Sequence, residues 1–241
     1  MSAVVDVPVR PASTVLVLRP GPGGFEVLMV RRVRSAAFMG DARVFPGGAL
    51  EESDHSDLAG AAVRWAGDPE ELPWRAAALR ELAEEAGVFL TDPPVGSLSG
   101  RSAELFRALA ARGSVFDADR LTYFSRWVTP RGLPRHFDTR FYAAVVPAGT
   151  EAGADRGEVT EADWITPRDA LARAAAGEWK VEFPTRRHLE ALARCDSAEE
   201  VLTLAPAAAE MPTVRPRVDF LPGGAFRILL PGEAGYEEAW R

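Results

Sequence analysis

Four charged residues at helical spacing carry the most pointed chemistry in the chain: Arg80, Glu81, Glu84 and Glu85, in the run RELAEEAG. On a helix advancing about 100° per residue, the three glutamates fall within an arc of about 100°, and Leu79, Leu82, Ala83 and Ala86 take the opposite side. Like charges three and four apart each cost a helix about 0.2 to 0.5 kcal/mol, a penalty that a bound divalent cation removes. Carboxylate oxygens are the ligands that Mg²⁺ and Mn²⁺ prefer. Ala77 and Ala78, one turn earlier, are small enough to leave room for metal and phosphate. Taken alone, the stretch also reads as a solvated helix face.

These side chains need a helix held against other elements. Pro73 suits a first helical turn and Gly87 the left-handed position after a last one, which predicts a helix over residues 73–86, roughly 21 Å long. Upstream, residues 14–18 (TVLVL) and 25–31 (FEVLMVR) are β-rich runs joined by PGPGG, a predicted hairpin. Residues 43–45 form a further short strand, stopped by Pro46, Gly47 and Gly48. A short helix over about 57–65 and the turn Gly67-Asp68-Pro69 read as an insert before the acidic helix. Downstream, residues 102–112 read as a helix, and 123–129 and 140–146 as strands flanking the polar loop TPRGLPRHFD. A strand over 161–165 and helices over 167–176 and 185–194 follow. The Pro- and Gly-rich tail from Ala205 offers one strand, 226–230, and Leu221-Pro222-Gly223-Gly224 in it reads as a turn with no catalytic part. The order of elements predicts an α+β or α/β sandwich, with a mixed sheet between helices.

The rest of the composition narrows the chemistry. Asp and Glu total 35 against 28 Lys and Arg, a formal charge of −7, so there is no overall positive field to gather nucleic acid or an anionic membrane. A polyanionic substrate has to be met by local arginines or by bound metal. One cysteine, Cys195, and three histidines, His55, His136 and His188, give no close soft-metal cluster. Residues 1–13 lack the features of a signal peptide and no run of about 18 apolar residues occurs, so the expected location is the cytoplasm, with no membrane partner.

Phe45-Pro46-Gly47-Gly48, with Arg80-Glu81-Leu82-Ala83-Glu84-Glu85-Ala86-Gly87-Val88, resembles the Nudix box, G-x5-E-x7-R-E-U-x-E-E-x-G-U with U aliphatic. The second half matches at every specified position. In the first half, Asp54 stands where the pattern has Glu, and 25 residues rather than seven separate it from Arg80. Together with FEVLMVRR, SAAFMGDARVFPGGALEESD, RWVTP and HFDTRFYAAVV, the chain resembles the Nudix 19 subgroup over about residues 12–192. The resemblance implies an α/β/α sandwich whose catalytic loop-helix-loop is interrupted by an insert. It divides the chain into a tail, 1–12, a Nudix domain, 13–194, with inserts at about 55–72 and 97–120, and an extension, 195–241.

It further implies a pyrophosphohydrolase acting on a small nucleotide-type diphosphate, with coenzyme A or acyl-coenzyme A cut to 3′,5′-ADP and a 4′-phosphopantetheine. Glu81, Glu84 and Glu85, with the Gly48 carbonyl, would hold one to three Mg²⁺ or Mn²⁺ ions, while Arg80 fixes a glutamate. Glu158 is the first candidate for a further ligand or general base, and Glu161 the second. The broader coenzyme A signature carries an arginine shortly before Gly40, and residues 35–39 contain none. Arg31, Arg32 and Arg34 could meet phosphate oxygens, and Gly47, Asp138 and Arg140 could shape the pocket. Arginines at a strand end, a turn-capping Asp138 and a surface Arg140 fit equally well. Phe106, Trp127 and Tyr142 could stack on an adenine or lie in the core, and His136 reads as a loop residue. Hydrolysis of NADH, ADP-ribose or nucleoside triphosphates, and a non-catalytic ligand sensor, stand as alternatives. The extension could cover the pocket, extend the sheet or build a homodimer.

Overall fold

The computed structural model of the protein describes residues 8–35, 40–130, 133, 135–155, 157–205, 213–221 and 225–239. Alternation along the first strands sets the layers. In β1 (Val9–Gly21) and β2 (Gly24–Arg32), Val15, Val17, Leu28 and Val30 face one core, while Leu16, Leu18, Val27 and Met29 face another. Both faces are covered because both are apolar. The first core is closed by α1 (Asp57–Ala62), α2 (Leu72–Ala86) and α3 (Ala103–Ala111). The second is closed by α4 (Pro167–Ala175), α5 (Phe183–Leu192) and α6 (Ala198–Thr203). The result is the expected α/β/α sandwich.

The sheet is mixed. β1 runs parallel to β9 (His136–Val145) and antiparallel to β2, and β9 pairs antiparallel with β8 (Thr122–Val128). The free edge of β1 is shared: residues 18–21 pair with β2, but residues 12–14 pair with β4 (Gly47–Ala49). Likewise β2 pairs with β1 in its first half and with β3 (Ala42–Val44) in its second, while β10 (Val159–Ile165) pairs along it from Val27 to Arg32. The two strands of the hairpin therefore splay apart, and Phe45-Pro46 carries the chain across the gap. Val15 N donates to Pro46 O at 2.9 Å and Leu50 N to Pro11 O at 3.0 Å.

The two inserts meet. β5 (Val63–Arg64), β6 (Thr91–Asp92) and β7 (Val115–Asp117) form a small second sheet. The predicted helix over 57–65 thus ends at Ala62, where the chain turns into β5. The predicted polar loop before residue 140 is shorter than expected, because β9 begins at His136; that histidine is buried in a strand and is no loop residue.

The tail also departs from expectation. Beyond α6, β12 (Thr213–Val214) adds to the sheet beside β8, after β11 (Lys180–Val181) has joined the opposite edge beside β3. A terminal hairpin follows, β13 (Arg217–Phe220) with β14 (Phe226–Leu229). Residues 36–39, preceding Gly40, and residues 222–224 of the second Pro-Gly-Gly turn lie outside the described residues.

Candidate functional site

The gap between β1 and β2 fixes where the glycine loop can touch α2. Phe45 anchors the loop in the second core. Gly47 N then donates to Glu85 Oε2 at 3.0 Å. A Cβ on Gly48 would come within 2.5 Å of Glu81 Oε1, so any other residue here would push the Glu81 carboxylate away from this backbone. At the far end of α2, Gly87 adopts φ 63 and its N–H bonds to Ala83 O at 3.0 Å, closing the helix where expected.

The acidic face of α2 is not solvated. Glu81 is 8 % and Glu85 2 % exposed. Burial pushes the Glu81 carboxyl up to about 7 even though Arg80 draws it down, with Glu84 and Glu158 adding repulsion. Burial and then the charge of Glu81 push Glu85 up to about 8, against the pull of the Gly47 N–H and Arg32. Glu84, also raised by burial, is turned aside: its Oε1 accepts from Ser102 N at 2.6 Å. Ala77 and Ala78 are wholly buried and leave no room for a ligand.

Arg80 is the hub. Its guanidinium is wholly buried and makes a two-pronged pair with Asp54, Nε to Oδ1 at 2.8 Å and Nη2 to Oδ2 at 2.9 Å. Nη1 donates to Glu81 Oε1 at 2.9 Å and Nη2 to Ala49 O at 3.3 Å. Burial opposes the arginine's charge, but Asp54, Glu81 and Glu84 outweigh it and hold the group protonated well above its ordinary range. Asp54 reaches this position because a 3-10 turn, Glu52–His55, delivers it before the insert departs; Glu51 N donates to its Oδ2 at 2.8 Å. The 25 residues that interrupt the motif in sequence do not interrupt it in space.

A cavity of about 690 Å³ opens from this point. Gly47, Gly48, Glu81, Arg32 and Glu158 line it. Along β1, Thr14 lies opposite Gly47 and beside Phe141, Ala12 beside Thr139, and Arg10 beside Phe137. The cavity follows this row over the four residue steps from Thr14 to Arg10, roughly 13 Å at strand spacing. Trp127, Arg135 and Lys180 also line it, as do Pro216, Phe226 and Ile228 from the tail.

The sequence candidates sort accordingly. Arg80, Glu81, Glu85, Gly47, Gly48, Arg32 and Glu158 come together, and Arg32 Nε is buried with no hydrogen-bond partner among the described residues. Arg34 does not join them: its largely exposed side chain lies 3.6 Å from Asp41. Arg31 pairs with Asp41 and Glu161, and Glu161 also pairs with Arg43, which occupies the second base candidate structurally. Asp138 and Arg140 lie on the face of β9 opposite Phe137, Thr139 and Phe141 and are not brought to the cavity. Asp138 makes a two-pronged pair with Arg126 at 2.8 and 2.6 Å, while Arg140 pairs with Glu71 and lies over the Trp74 ring.

Phe106 and Tyr142 belong to the first core, whereas Trp127 reaches the cavity wall. His188 has partners that the sequence did not reveal. Its Nδ1–H donates to Pro184 O at 2.7 Å, leaving Nε2 to accept from Ser125 Oγ at 2.7 Å. Burial lowers its pKa to about 4, as befits a neutral core histidine. The cavity roles of Arg10, Arg135, Lys180 and the tail had no signal in spacing. Asp54 had one, its place six residues after Gly48.

The donor set fits a hard divalent cation. Glu81 and Glu85 offer carboxylate oxygens one helical turn apart, buried with too little counter-charge beside the Gly47-Gly48 backbone. Among the described residues no three acidic, histidine or cysteine side chains already converge as a shell, consistent with Glu84 being turned to Ser102.

The NUDIX domain family model matches residues 8–185. Putative nudix hydrolase 7 of Caenorhabditis elegans is 30% identical over 167 residues, covering 66% of this chain and 52% of that protein. Acyl-coenzyme A diphosphatase NUDT19 of Homo sapiens is 27% identical over 220 residues, covering 67% and 59%. The chain thus spans between half and three fifths of the length of these curated relatives. A crystal structure of a NUDIX hydrolase from Alicyclobacillus acidocaldarius superposes with a TM-score of 0.72 at 32% identity, covering 84% of this chain and 100% of that one. With the family's sequence match running from the first described strand into α5, and its glycine loop and acidic helix packed together, the chain belongs to the NUDIX domain family.

Proposed function

We propose that the protein is a divalent-metal-dependent pyrophosphohydrolase, and that its substrate is coenzyme A or an acyl-coenzyme A, cut to 3′,5′-ADP and a 4′-phosphopantetheine. One observation carries the reaction: two buried, undercompensated carboxylates, Glu81 and Glu85, face the Gly47-Gly48 backbone, and Glu81 lines a large cavity with both glycines. The relatives named acyl-coenzyme A diphosphatase support the substrate. So does a cavity that continues past the carboxylates to Arg10, Arg135 and Lys180 and to an apolar wall.

Glu81, Glu84, Glu85 and the Gly48 carbonyl would hold Mg²⁺ or Mn²⁺, which when bound neutralises the diphosphate and acidifies water. The chain's own residues supply the rest. Arg80 fixes the Glu81 carboxylate by a charge-assisted hydrogen bond. Arg32, which lines the cavity, donates to a phosphate oxygen. Glu158, on the same wall, takes the proton of the attacking water. The water oxygen bonds to one phosphorus as that phosphorus parts from the bridging oxygen, and the second phosphate leaves; no covalent enzyme intermediate forms. The tail lends residues to the sheet edge and the cavity wall, and nothing described supports the homodimer considered for it.

The test is a panel of coenzyme A, acyl-coenzyme A, NADH, ADP-ribose and nucleoside triphosphates with Mg²⁺ or Mn²⁺, comparing wild type with Glu84→Gln and Glu85→Gln. Coenzyme A compounds are expected to turn over fastest, with kcat reduced by about a hundredfold or more in Glu85→Gln. Unchanged turnover in both variants refutes the site. Tight binding of one compound with turnover of none makes the protein a ligand sensor instead.

A further inference from the structure

The insert carrying α3 returns to the site through one corner, residues 100–102. Arg101 Nη1 donates to Glu158 Oε1 at 2.8 Å, and its Nη2 pairs with Asp155. The next residue, Ser102, donates its N–H to Glu84 Oε1 at 2.6 Å and its hydroxyl to Glu51 Oε2. To do so Ser102 adopts φ 52 and ψ −129, following Gly100 at φ 120. A non-glycine residue in this region persists only when its surroundings impose it, and such residues gather at functional sites.

Glu158 is held from two directions. Asp155 Oδ1 accepts from the N–H groups of Gly157, Glu158 and Val159, fixing the backbone of the turn. Arg101 bridges the other carboxylate oxygen of Asp155 to the Glu158 side chain. The arginine is thus anchored to the turn that carries the glutamate it orients.

We propose that Arg101 is a positioning residue: it aims the Glu158 carboxylate into the cavity near Glu81, making the helical insert part of the catalytic apparatus. This rests on the reading of Glu158 as the general base. The pair is about half exposed, and exposed ion pairs add little to stability. Although removing Arg101 also releases Asp155, which is 14 % exposed, its effect should therefore fall more on rate than on folding.

The experiment is a double-mutant cycle of Arg101→Ala and Glu158→Gln, with Arg101→Lys as the conservative variant, on coenzyme A and ADP-ribose with Mn²⁺. Mn²⁺ affinity of the free protein is read from the electron paramagnetic resonance signal of the unbound ion. Expected are a kcat about tenfold lower in Arg101→Ala, KM unchanged, an unfolding midpoint lowered by no more than about 3 °C, partial recovery in Arg101→Lys, and Mn²⁺ affinity equal or higher. The double variant should be no slower than Glu158→Gln alone. Multiplying effects in the double variant, or a tenfold loss of Mn²⁺ affinity in Arg101→Ala, overturns the positioning role and leaves the base assignment standing. Full activity in Glu158→Gln, or no turnover of either compound by the wild type, overturns both.

Discussion

Asp54 is one methylene shorter than the glutamate of the Nudix pattern, yet it is the residue on which Arg80 depends most. Its carboxylate meets the guanidinium at 2.8 and 2.9 Å where both are shielded from water. Breaking a buried pair from one side leaves a charge with neither partner nor solvent and costs about 3 to 5 kcal/mol. Asp54→Ala is therefore expected to lower stability by about that amount in urea unfolding. It should also slow catalysis, because the same guanidinium holds Glu81. A loss under about 1 kcal/mol would mean that Arg80 is secured by Ala49, Glu81 and Glu84 alone. Arg31 and Arg32 show the same dependence on partners. They are neighbours in sequence, but the first is engaged by Asp41 and Glu161, while the second lines the cavity and has a buried Nε with no hydrogen-bond partner among the described residues.

At the scale of the element, α2 places Glu81 and Glu85 against a glycine strand where neither is easily ionised. Both carboxyls are raised above the value of about 4.5 they have when unfolded. The folded chain thus binds more protons than the unfolded one between about pH 4.5 and 8. Their contribution to stability is full below about pH 4.5 and is lost as pH rises through 7 to 8. A divalent cation, favouring the ionised forms, should reverse the trend. Mg²⁺ is expected to raise the unfolding midpoint little at pH 5.5 and by about 5 °C or more at pH 8.5. Equal gains at both values would place the cation elsewhere. The sequence made this helix legible, since Pro73 and Gly87 mark its ends and its wheel separates two faces; that the acidic face is buried depends on β4, which spacing cannot show. Parity on β9 was legible too. Arg140 and Tyr142 are two residues apart on one strand and so share a face, the one turned away from Phe137, Thr139 and Phe141; the partner that holds Arg140 there, Glu71, had no signal in spacing. The two-residue strands β5, β6 and β12 left no periodicity to read, because tertiary pairing alone defines them.

For the whole molecule, a net charge of −7 makes the cations inside the cavity more telling than any on the surface. Arg10, Arg32, Arg135 and Lys180 come from four separate segments and meet only because β1, β9, β2 and β11 share one sheet. The terminal hairpin completes this enclosure from beyond the family match, which ends at residue 185. Phe220 and Phe226 face each other across it, each more than half exposed, and Phe226 and Ile228 form cavity wall. Phe226, an exposed aromatic on the cavity wall, is placed to meet a ligand there. If the hairpin touches the part of the substrate beyond the diphosphate, its loss should weaken binding and leave the chemistry alone. Phe226→Ala with Ile228→Ala should therefore raise KM for an acyl-coenzyme A about tenfold, the worth of a partly buried apolar side chain, with kcat unchanged. The KM for ADP-ribose, which lacks the pantetheine and acyl chain, should move by no more than about twofold. Equal shifts for both substrates, or a fall in kcat for either, would assign the hairpin to holding the sheet edge in place, with no part in choosing the substrate.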